Sequence, residues 1–600
     1  MKNLHQNAAL WMAVSLAATL TACGGGGGGS TTPPPPPAKT TPTITVTPSA
    51  STITTAQALS VAVAVNGGSG NAVPTGSITL SSGAYTSSAT TLASGSATVN
   101  VAAGSLAVGA NTLTASYTPD SSSSSTYNAA TGKSSAVNVT AIATTVAVNQ
   151  ASIGPAISDK LLGMNMAAWY DPTTAAVVPA FQAAGIKAVR WPGGSWSDDY
   201  HWATNTMCGN TPNTNATFAN FVNDLVTPGS FDVALTANYG TNAACTGPGD
   251  PTEAAAWIAQ AKSINAHVSH MTVGNEEYGS WEDDLHSKKN DAATYAAAVG
   301  TASTSGYYSL IKAADSSVLV GVDVNPGNSP AWDPTVLANS KYDFVEYHYY
   351  PQAPGSESDT YLVQKAANDL TTEINTLKTE LATAGNPNTP IYVGEIGSVY
   401  SNPGKQSLSI TQGLYAGQVL GELMNDGVAR ATWWIGFGNC NGTQGNDSSS
   451  LYGWQNFGGY NVFADGPSDT GCAGAGPIGT MSPTARAFQL FSKVAVNGES
   501  VLTATVAGDT ANVRAYAATN SGGTALVLFN LNQSVSAPVT VSLSAQTTSS
   551  DVLVETYSKA LYDQSQNNVW AAPTTTDLGT KTLPLALTLD PWSMNVVIIK

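Results

Sequence analysis

The chain holds 600 residues, carries 21 Lys and Arg against 38 Asp and Glu for a formal net charge of −17, and is only 10% charged overall. That length exceeds what one hydrophobic core supports and implies about three or four domains. The acidic balance, with no Lys/Arg cluster able to neutralise phosphates, excludes nucleic acid as a partner, and a charged fraction far below the usual figure of about 25% fits an exported protein.

The first residues read as an address. Lys2 is followed by the apolar run Ala8 to Leu20, too short to span a bilayer well, and by Leu20-Thr21-Ala22-Cys23. Residues 1–23 resemble a bacterial lipoprotein signal peptide, which implies that Cys23 is lipidated and becomes the mature N-terminus. An ordinary secretory signal with an incidental cysteine would read similarly. The expected location is the bacterial cell envelope, lipid-anchored at the outer membrane or cell surface, or outside the cell as a secreted protein. Residues 24–42, a glycine run followed by Pro33 to Pro37, form a linker with an extended polyproline stretch. Of the five cysteines, Cys208, Cys245, Cys440 and Cys472 remain for disulfides. Four cysteines allow three pairings; Cys208 with Cys245 and Cys440 with Cys472 would each tie neighbouring loops. Their spacing resembles no zinc-ligand pattern, so no metal is expected.

Residues 43–142 change to short alternating strands separated by turn residues, such as Leu59-Ser60-Val61-Ala62-Val63 and Asn111 to Tyr117. This predicts a β-sandwich. The segments PTGSITL and NTLTASYTPD resemble bacterial immunoglobulin-like repeat domains, which implies a spacer or weak adhesion module.

From Leu162 strands alternate with helices, the signature of βα units. Thr174 to Ala184 reads as a helix closed by Gly185, and Ile186 to Arg190 as a strand. Phe231 to Ala237 is the next strand. Asp250-Pro251-Thr252-Glu253 then supplies an N-cap, a proline at the first helical position and a carboxylate three residues past the cap. The strand Val268 to Val273 ends in Gly274, Asn275, Glu276 and Glu277. Further strands are expected at Val318 to Val322, Tyr342 to Tyr347, around Ile391, and Ala429 to Ile435. Helices are expected at Tyr307 to Ala314, from Leu362 through Leu381, and from about Ser409 to Asp426. Eight strand stations over residues 162–494 predict a (β/α)8 TIM barrel. Residues 495–600 return to strand periodicity and predict a C-terminal β-sandwich, with the strand-like Thr144 to Val148 within residues 144–161 available to join it.

On such a barrel, catalytic groups come from the C-terminal ends of strands. Here those ends carry Arg190, Asn238, Asn275, Glu276, His348, Tyr350, Glu395, Trp433 and Trp434. Two strand-end glutamates, Glu276 and Glu395, suggest paired carboxylates across one cleft, as glycoside hydrolysis requires. Adjacent strand residues point to opposite faces, so only one of Glu276 and Glu277 is expected to face the cleft. Glu282, Asp283 and Asp284 read as a solvated acidic edge. Of Trp433 and Trp434, strand alternation turns one inward and packs the other under a helix.

VRWPGGSWSDDYHW (Val189 to Trp202), TVGNEEYGSWE (Thr272 to Glu282), IKAADSSVLVGV (Ile311 to Val322), DFVEYHYYP (Asp343 to Pro351) and PTARAFQLFSKV (Pro483 to Val494) together resemble, in order, the retaining glycoside hydrolases of clan A, most closely the α-L-arabinofuranosidase branch. The resemblance implies Glu276 as general acid/base and Glu395 as nucleophile. It further implies Asn275 as donor to the sugar 2-hydroxyl, and His348, Tyr350 and Arg190 as orienting groups. The substrate implied is a plant-type polysaccharide or oligosaccharide, attacked by a monomer without a cofactor. The context GEIGSVY around Glu395 departs from the Glu-Trp pattern of arabinofuranosidases and resembles the β-glucuronidase and heparanase group. The same residues also fit a β-xylosidase-like enzyme or a non-catalytic glycan-binding surface protein. Double displacement requires the acid to keep its proton near neutrality, so a raised pKa is expected for Glu276.

Overall fold

The computed structural model describes residues 38–303, 305–327, 331–438, 440–441, 457–467, 476–565 and 570–600. Cys23 and Cys472 lie outside them. At the N-terminal end of the described chain, Thr43–Pro48, Leu59–Asn66 and Ser96–Val101 form one antiparallel sheet. A second sheet is built from Thr52–Thr54, Ala130–Thr140, Gly109–Pro119, Gly76–Ser82 and Tyr85–Thr86. Burial alternates residue by residue along Leu59–Asn66, as period-two strands with one face in a core must. The core takes Val61 and Val63 from one sheet and Ile78, Leu80, Leu113 and Tyr117 from the other.

The long strand Thr144–Ala156 leaves this region and runs parallel to Ala537–Leu543 and antiparallel to Ser500–Ala507. It is thereby the third strand from one end of a nine-stranded sheet otherwise drawn from the C-terminal residues. Val148, Leu526, Val541 and Val597 from this sheet gather in a core of their own, while Val527, Phe529, Met594 and Val596 join the core of the barrel. Helix Ile410–Asn425 makes that junction. It is buried along nearly its whole length, and an added Cβ at Gly421 would stand 2.6 Å from the Tyr516 ring. Glycine there lets the sheet approach the helix backbone.

The barrel consists of eight parallel strands: Gly163–Asn165, Ala188–Trp191, Asp232–Ala237, Val268–Val273, Leu319–Asp323, Phe344–Tyr349, Ile391–Ile396 and Arg430–Ala431. The last returns to the first. Trp433 N–H donates to the carbonyl of Gly163 at 3.1 Å, and Asn165 N–H donates to that of Trp433 at 2.9 Å. Helix Pro251–Ser263 begins where the cap motif places it, with Asp250 Oδ1 accepting from Thr252 N–H at 2.9 Å. The helix expected from Leu362 through Leu381 is two pieces, Asp359–Gln364 and Ala366–Thr383, parted at Lys365. The apolar stripe Leu370, Ile374, Leu377 and Leu381 is buried as its spacing requires.

Candidate active site

Arg190 leaves the second barrel strand and is only 1% exposed. Its Nη1 donates to Asn165 Oδ1 at 3.0 Å and to Glu395 Oε1 at 2.9 Å, its Nη2 donates to Asn275 Oδ1 at 2.8 Å, and its Nε lies 2.9 Å from Glu346 Oε1. The planar fork thus ties the first, second, fourth, sixth and seventh strands at one end. Burial alone would lower the pKa of the guanidinium; the carboxylates of Glu346 and Glu395 overcome that and raise it.

Glu395 is rigidly held. Besides Arg190, Tyr350 donates its hydroxyl to Oε2 at 2.6 Å. Neighbouring Gly394 has a steric reason: a Cβ there would fall 1.8 Å from Glu346 Oε1.

Glu276 is held differently. The strand ends at Val273, and Gly274 and Glu276 both take left-handed conformations, φ 76° and 51°. For a residue with a Cβ that conformation costs about 1–2 kcal/mol. It turns the Glu276 side chain to His348, whose Nδ1 lies 2.7 Å from Oε1, while the indole N–H of Trp281 donates to Oε2 at 2.8 Å. His348 also reaches Glu346 Oε1 through Nε2 at 3.3 Å and lies 3.9 Å from Glu395 Oε2. One oxygen of each glutamate and a ring nitrogen of His348 all fall within 4.8 Å of one another.

Burial disfavours the charged form of His348, yet the Glu395 charge and hydrogen bonds to Glu276 and Glu346 outweigh it and raise the imidazole to about 10. His348 is therefore an imidazolium at neutral pH. Burial also pushes the Glu276 carboxyl up, but the hydrogen bond and charge of His348, with the Trp281 N–H, hold it below its ordinary value. The raised pKa expected for Glu276 does not hold in the free site. The proton sits on the other end of the 2.7 Å contact.

Behind this pair stands a second row of carboxyls. Glu277 is fully buried beside Asp198. Burial and the Asp198 charge raise it well above the ordinary carboxyl range, and burial raises Asp198 to about 7 although backbone N–H groups of Tyr239 and Asn275 donate to it. Glu276 and Glu277 do face apart, but because the chain has already left the strand, not because of strand alternation. Of the expected acidic edge only Asp283 is exposed; Glu282 and Asp284 are buried. The loop folds beneath Asn275, whose Nδ2 donates to Glu282 Oε1 at 3.0 Å, with Ser195 donating to the same atom at 2.9 Å. Asp284 accepts from the backbone N–H groups of His286 and Asn290.

Asn165, Arg190, Asn275, Glu276, His348, Tyr350 and Glu395 thus meet in one cluster, joined by Glu346. Trp434 packs with Ala167, Trp169, Tyr350 and Tyr460 beside it. Two expected residues are elsewhere. Trp433 packs edge-on against Tyr415 and Phe488 in the layer between strands and helices, so it does not line the cleft; the alternation that brings Trp434 in sends Trp433 out. Asn238 is committed to its own loop, donating to the Tyr200 carbonyl and the Thr241 hydroxyl and accepting from Thr241 N–H. Asn165 and Glu346 join the site without having been expected from the sequence. Glu346 had a signal: it stands two residues before His348, on the same face of a strand. Cys208 pairs with Cys245, tying the loop after the second strand to that after the third, and Cys440 is disulfide-bonded as well.

No protein-family profile matches the chain, and no curated protein matches it in sequence. Solved structures do. An α-L-arabinofuranosidase from Thermotoga maritima, in complex with arabinose, superposes with a TM-score of 0.60 at 15% identity, over 76% of this chain and 99% of that one. A family 51 arabinofuranosidase from Xanthomonas axonopodis pv. citri gives 0.56 at 16%, over 76% and 100%. A xyloglucanase of glycoside hydrolase family 44 from Paenibacillus polymyxa gives 0.52 at 14%, over 76% and 100%. At such identities what the chain shares with these enzymes is the fold, a parallel barrel with an attached β-sheet region.

Proposed function

We propose that the chain is a retaining glycoside hydrolase of the α-L-arabinofuranosidase type, acting on plant-type polysaccharide or oligosaccharide, with Glu395 as nucleophile and Glu276 as general acid/base. The observation that carries the reading is the placement of two glutamates at barrel strand ends with oxygens within 4.8 Å, bridged by His348. Retaining enzymes hold their carboxyls about 5–5.5 Å apart, whereas inverting ones leave about 6.5–9.5 Å for a water. The arabinofuranosidases and the xyloglucanase that share the fold support the same class.

The electrostatics suit a double displacement. Glu395, held by Arg190 and Tyr350, attacks the anomeric carbon. The proton for the leaving oxygen is already present on the His348–Glu276 contact. Bond formation removes the Glu395 charge that most strongly raises His348, so the proton passes to Glu276 as it is needed. Water then enters with Glu276 as base. The guanidinium of Arg190 is engaged by Asn165, Asn275, Glu346 and Glu395, which favours a neutral sugar over the uronic acid of a β-glucuronidase. In this reading lipid on Cys23 holds the enzyme at the cell envelope and the N-terminal sheets act as an immunoglobulin-like spacer. Loss of fatty-acid labelling in Cys23→Ser tests the anchor.

The deciding experiment compares wild type and Glu276→Ala on aryl α-L-arabinofuranoside, β-D-xyloside, β-D-glucuronide and β-D-glucoside. Cleavage of the arabinofuranoside, lost in the variant and restored by azide, is expected. A wild type inert on aryl glycosides and polysaccharides alike but binding glycans would replace this reading with a glycan-binding protein.

A further inference from the structure

Cys208 and Cys245 join the loops after the second and third barrel strands, and their bridge has a neighbour that the proposed chemistry leaves unused. Tyr200–His201 pairs antiparallel with Thr206–Met207, which brings His201 back beside Cys208. The histidine is only 2% exposed, and its Nε2 lies 3.5 Å from Cys208 Sγ. Its Nδ1 lies 3.1 Å from both oxygens of Glu253. A carboxylate there accepts from Nδ1–H, so in the neutral ring the lone pair of Nε2 is turned toward the sulfur. Glu253 is itself fixed in the first turn of helix Pro251–Ser263, where the Trp202 indole N–H donates to its carbonyl at 3.1 Å.

One nitrogen and two sulfurs thus fall within 4.8 Å of one another, on cysteines whose Cα atoms are 5.5 Å apart. Zinc holds an imidazole nitrogen at about 2.0–2.1 Å and a thiolate sulfur at about 2.3 Å in a tetrahedron, so the N···S edge of such a site is about 3.5 Å. The His201–Cys208 separation already matches that edge. A carboxylate on the far ring nitrogen is what orients a metal-ligating histidine and raises its basicity. Cysteine spacing alone resembles no zinc pattern, because the third donor joins the two sulfurs only through the fold.

We infer that, with the bridge reduced, His201 Nε2 and the thiolates of Cys208 and Cys245 form a zinc site, with water in the fourth position and Glu253 holding the ring. Reduction by a dithiol breaks the S–S bond: two electrons pass to the cysteine sulfurs, the two dithiol protons end on them, and the dithiol becomes a disulfide. Zinc then displaces those two protons and binds both thiolates. The same two loops stay tied in either redox state, covalently when oxidised and through the metal when reduced. This inference stands apart from the glycosidase reading, since none of the three donors belongs to the cluster around Glu276 and Glu395.

The test reduces the full chain with a dithiol, removes the reductant without oxygen and titrates Co2+, whose tetrahedral thiolate complexes absorb in the visible and near ultraviolet. His201→Ala and Cys245→Ser chains are treated alike. The thiols of Cys23, Cys440 and Cys472 are common to all three chains, so a difference between them belongs to this site. Reduced wild type is expected to take up about one more Co2+ than either variant, in tetrahedral form and displaced by Zn2+, and the oxidised chain to lack that uptake. Glu253→Gln is expected to weaken binding about tenfold. Reduced wild type should also melt at a higher temperature with Zn2+ than with EDTA, a gain absent from His201→Ala. Equal cobalt uptake in wild type and both variants overturns the site, as does a reduced chain that zinc neither binds nor stabilises. A tetrahedral cobalt spectrum unchanged in His201→Ala overturns the assignment of Nε2 as a ligand.

Discussion

Leu59–Asn66 in the N-terminal sheets and Phe344–Tyr349 in the barrel are strands of similar length with opposite interiors. The first buries Leu59, Val61, Val63 and Val65 and exposes the residues between them. The second buries Glu346 and presents His348 beside it. Taking a carboxylate out of water is costly unless its partners are well placed, and Glu346 is satisfied by Arg190, His348 and Thr272. Several buried carboxyls gather at one end of the barrel, whereas among the described residues none is buried in the N-terminal sheets.

Removing the reacting group should separate the two regions most sharply. Glu395→Gln keeps an acceptor for Arg190 Nη1 and Tyr350 but loses the nucleophile, so kcat is expected to fall by about three orders of magnitude or more, with little change in melting temperature. An active Glu395→Gln enzyme would sink the assigned mechanism. Glu346→Gln comes next. It leaves the Arg190 Nε and His348 facing a neutral group in the interior, and breaking a buried pair costs about 3–5 kcal/mol; both stability and activity should drop, read by denaturant unfolding and aryl glycoside assay. Leu113→Ala makes the opposite cut. Leu113 is fully buried between the two N-terminal sheets, and its truncation should cost about 2–5 kcal/mol there while kcat and KM stay at wild-type values. A change in kcat would show that the N-terminal sheets reach into the chemistry.

Much of the barrel is legible in the sequence because its strands and helices write their burial into periodicity. Val268–Val273 and Ile391–Ile396 are apolar runs that end at polar groups, and the residues just past such ends are those the fold brings together. Helix Ala292–Val299 escapes notice because an alanine-rich run offers no apolar stripe distinct from its other face. Within the site, Glu395, Arg190 and His348 can be placed by strand position alone. Glu346 shares a strand face with His348, which marks it as a neighbour of the site, but a charge in an apolar run does not announce its counter-ion, so its tie to Arg190 shows only in the fold. The left-handed turn at Glu276 is invisible for a related reason: nothing in Asn-Glu-Glu signals a positive φ, and strand alternation does not apply where the strand has already ended. The run Glu282-Asp283-Asp284 looks solvated by composition; Asp283 is, and only the fold of the loop beneath Asn275 buries Glu282 and Asp284.

Glu282 sharpens the contrast at its smallest scale. Burial, then the charges of Asp198 and Glu276, raise its carboxyl to about 9, and its Oε2 has no hydrogen-bond partner among the described residues. In the unfolded chain an ordinary glutamate ionises near about 4.3. Between those values the folded protein holds a proton that the unfolded chain has released, so this group's contribution is fully present below the unfolded value and is lost as pH rises toward about 9. The slope is at most about 1.4 kcal/mol per pH unit. Glu282→Gln keeps the acceptor for Ser195 and Asn275 without a titratable proton, and removes the slope. The stability difference between variant and wild type, measured by denaturant unfolding with tryptophan fluorescence, should therefore grow in the variant's favour from about pH 6 to about pH 9 by up to about 1.4 kcal/mol per unit. A difference that stays constant over that window would mean that Glu282 is already ionised in the folded state. The loop beneath Asn275 would then hold a buried charge, and the second row of carboxyls would need a cation near Ser195 to balance it.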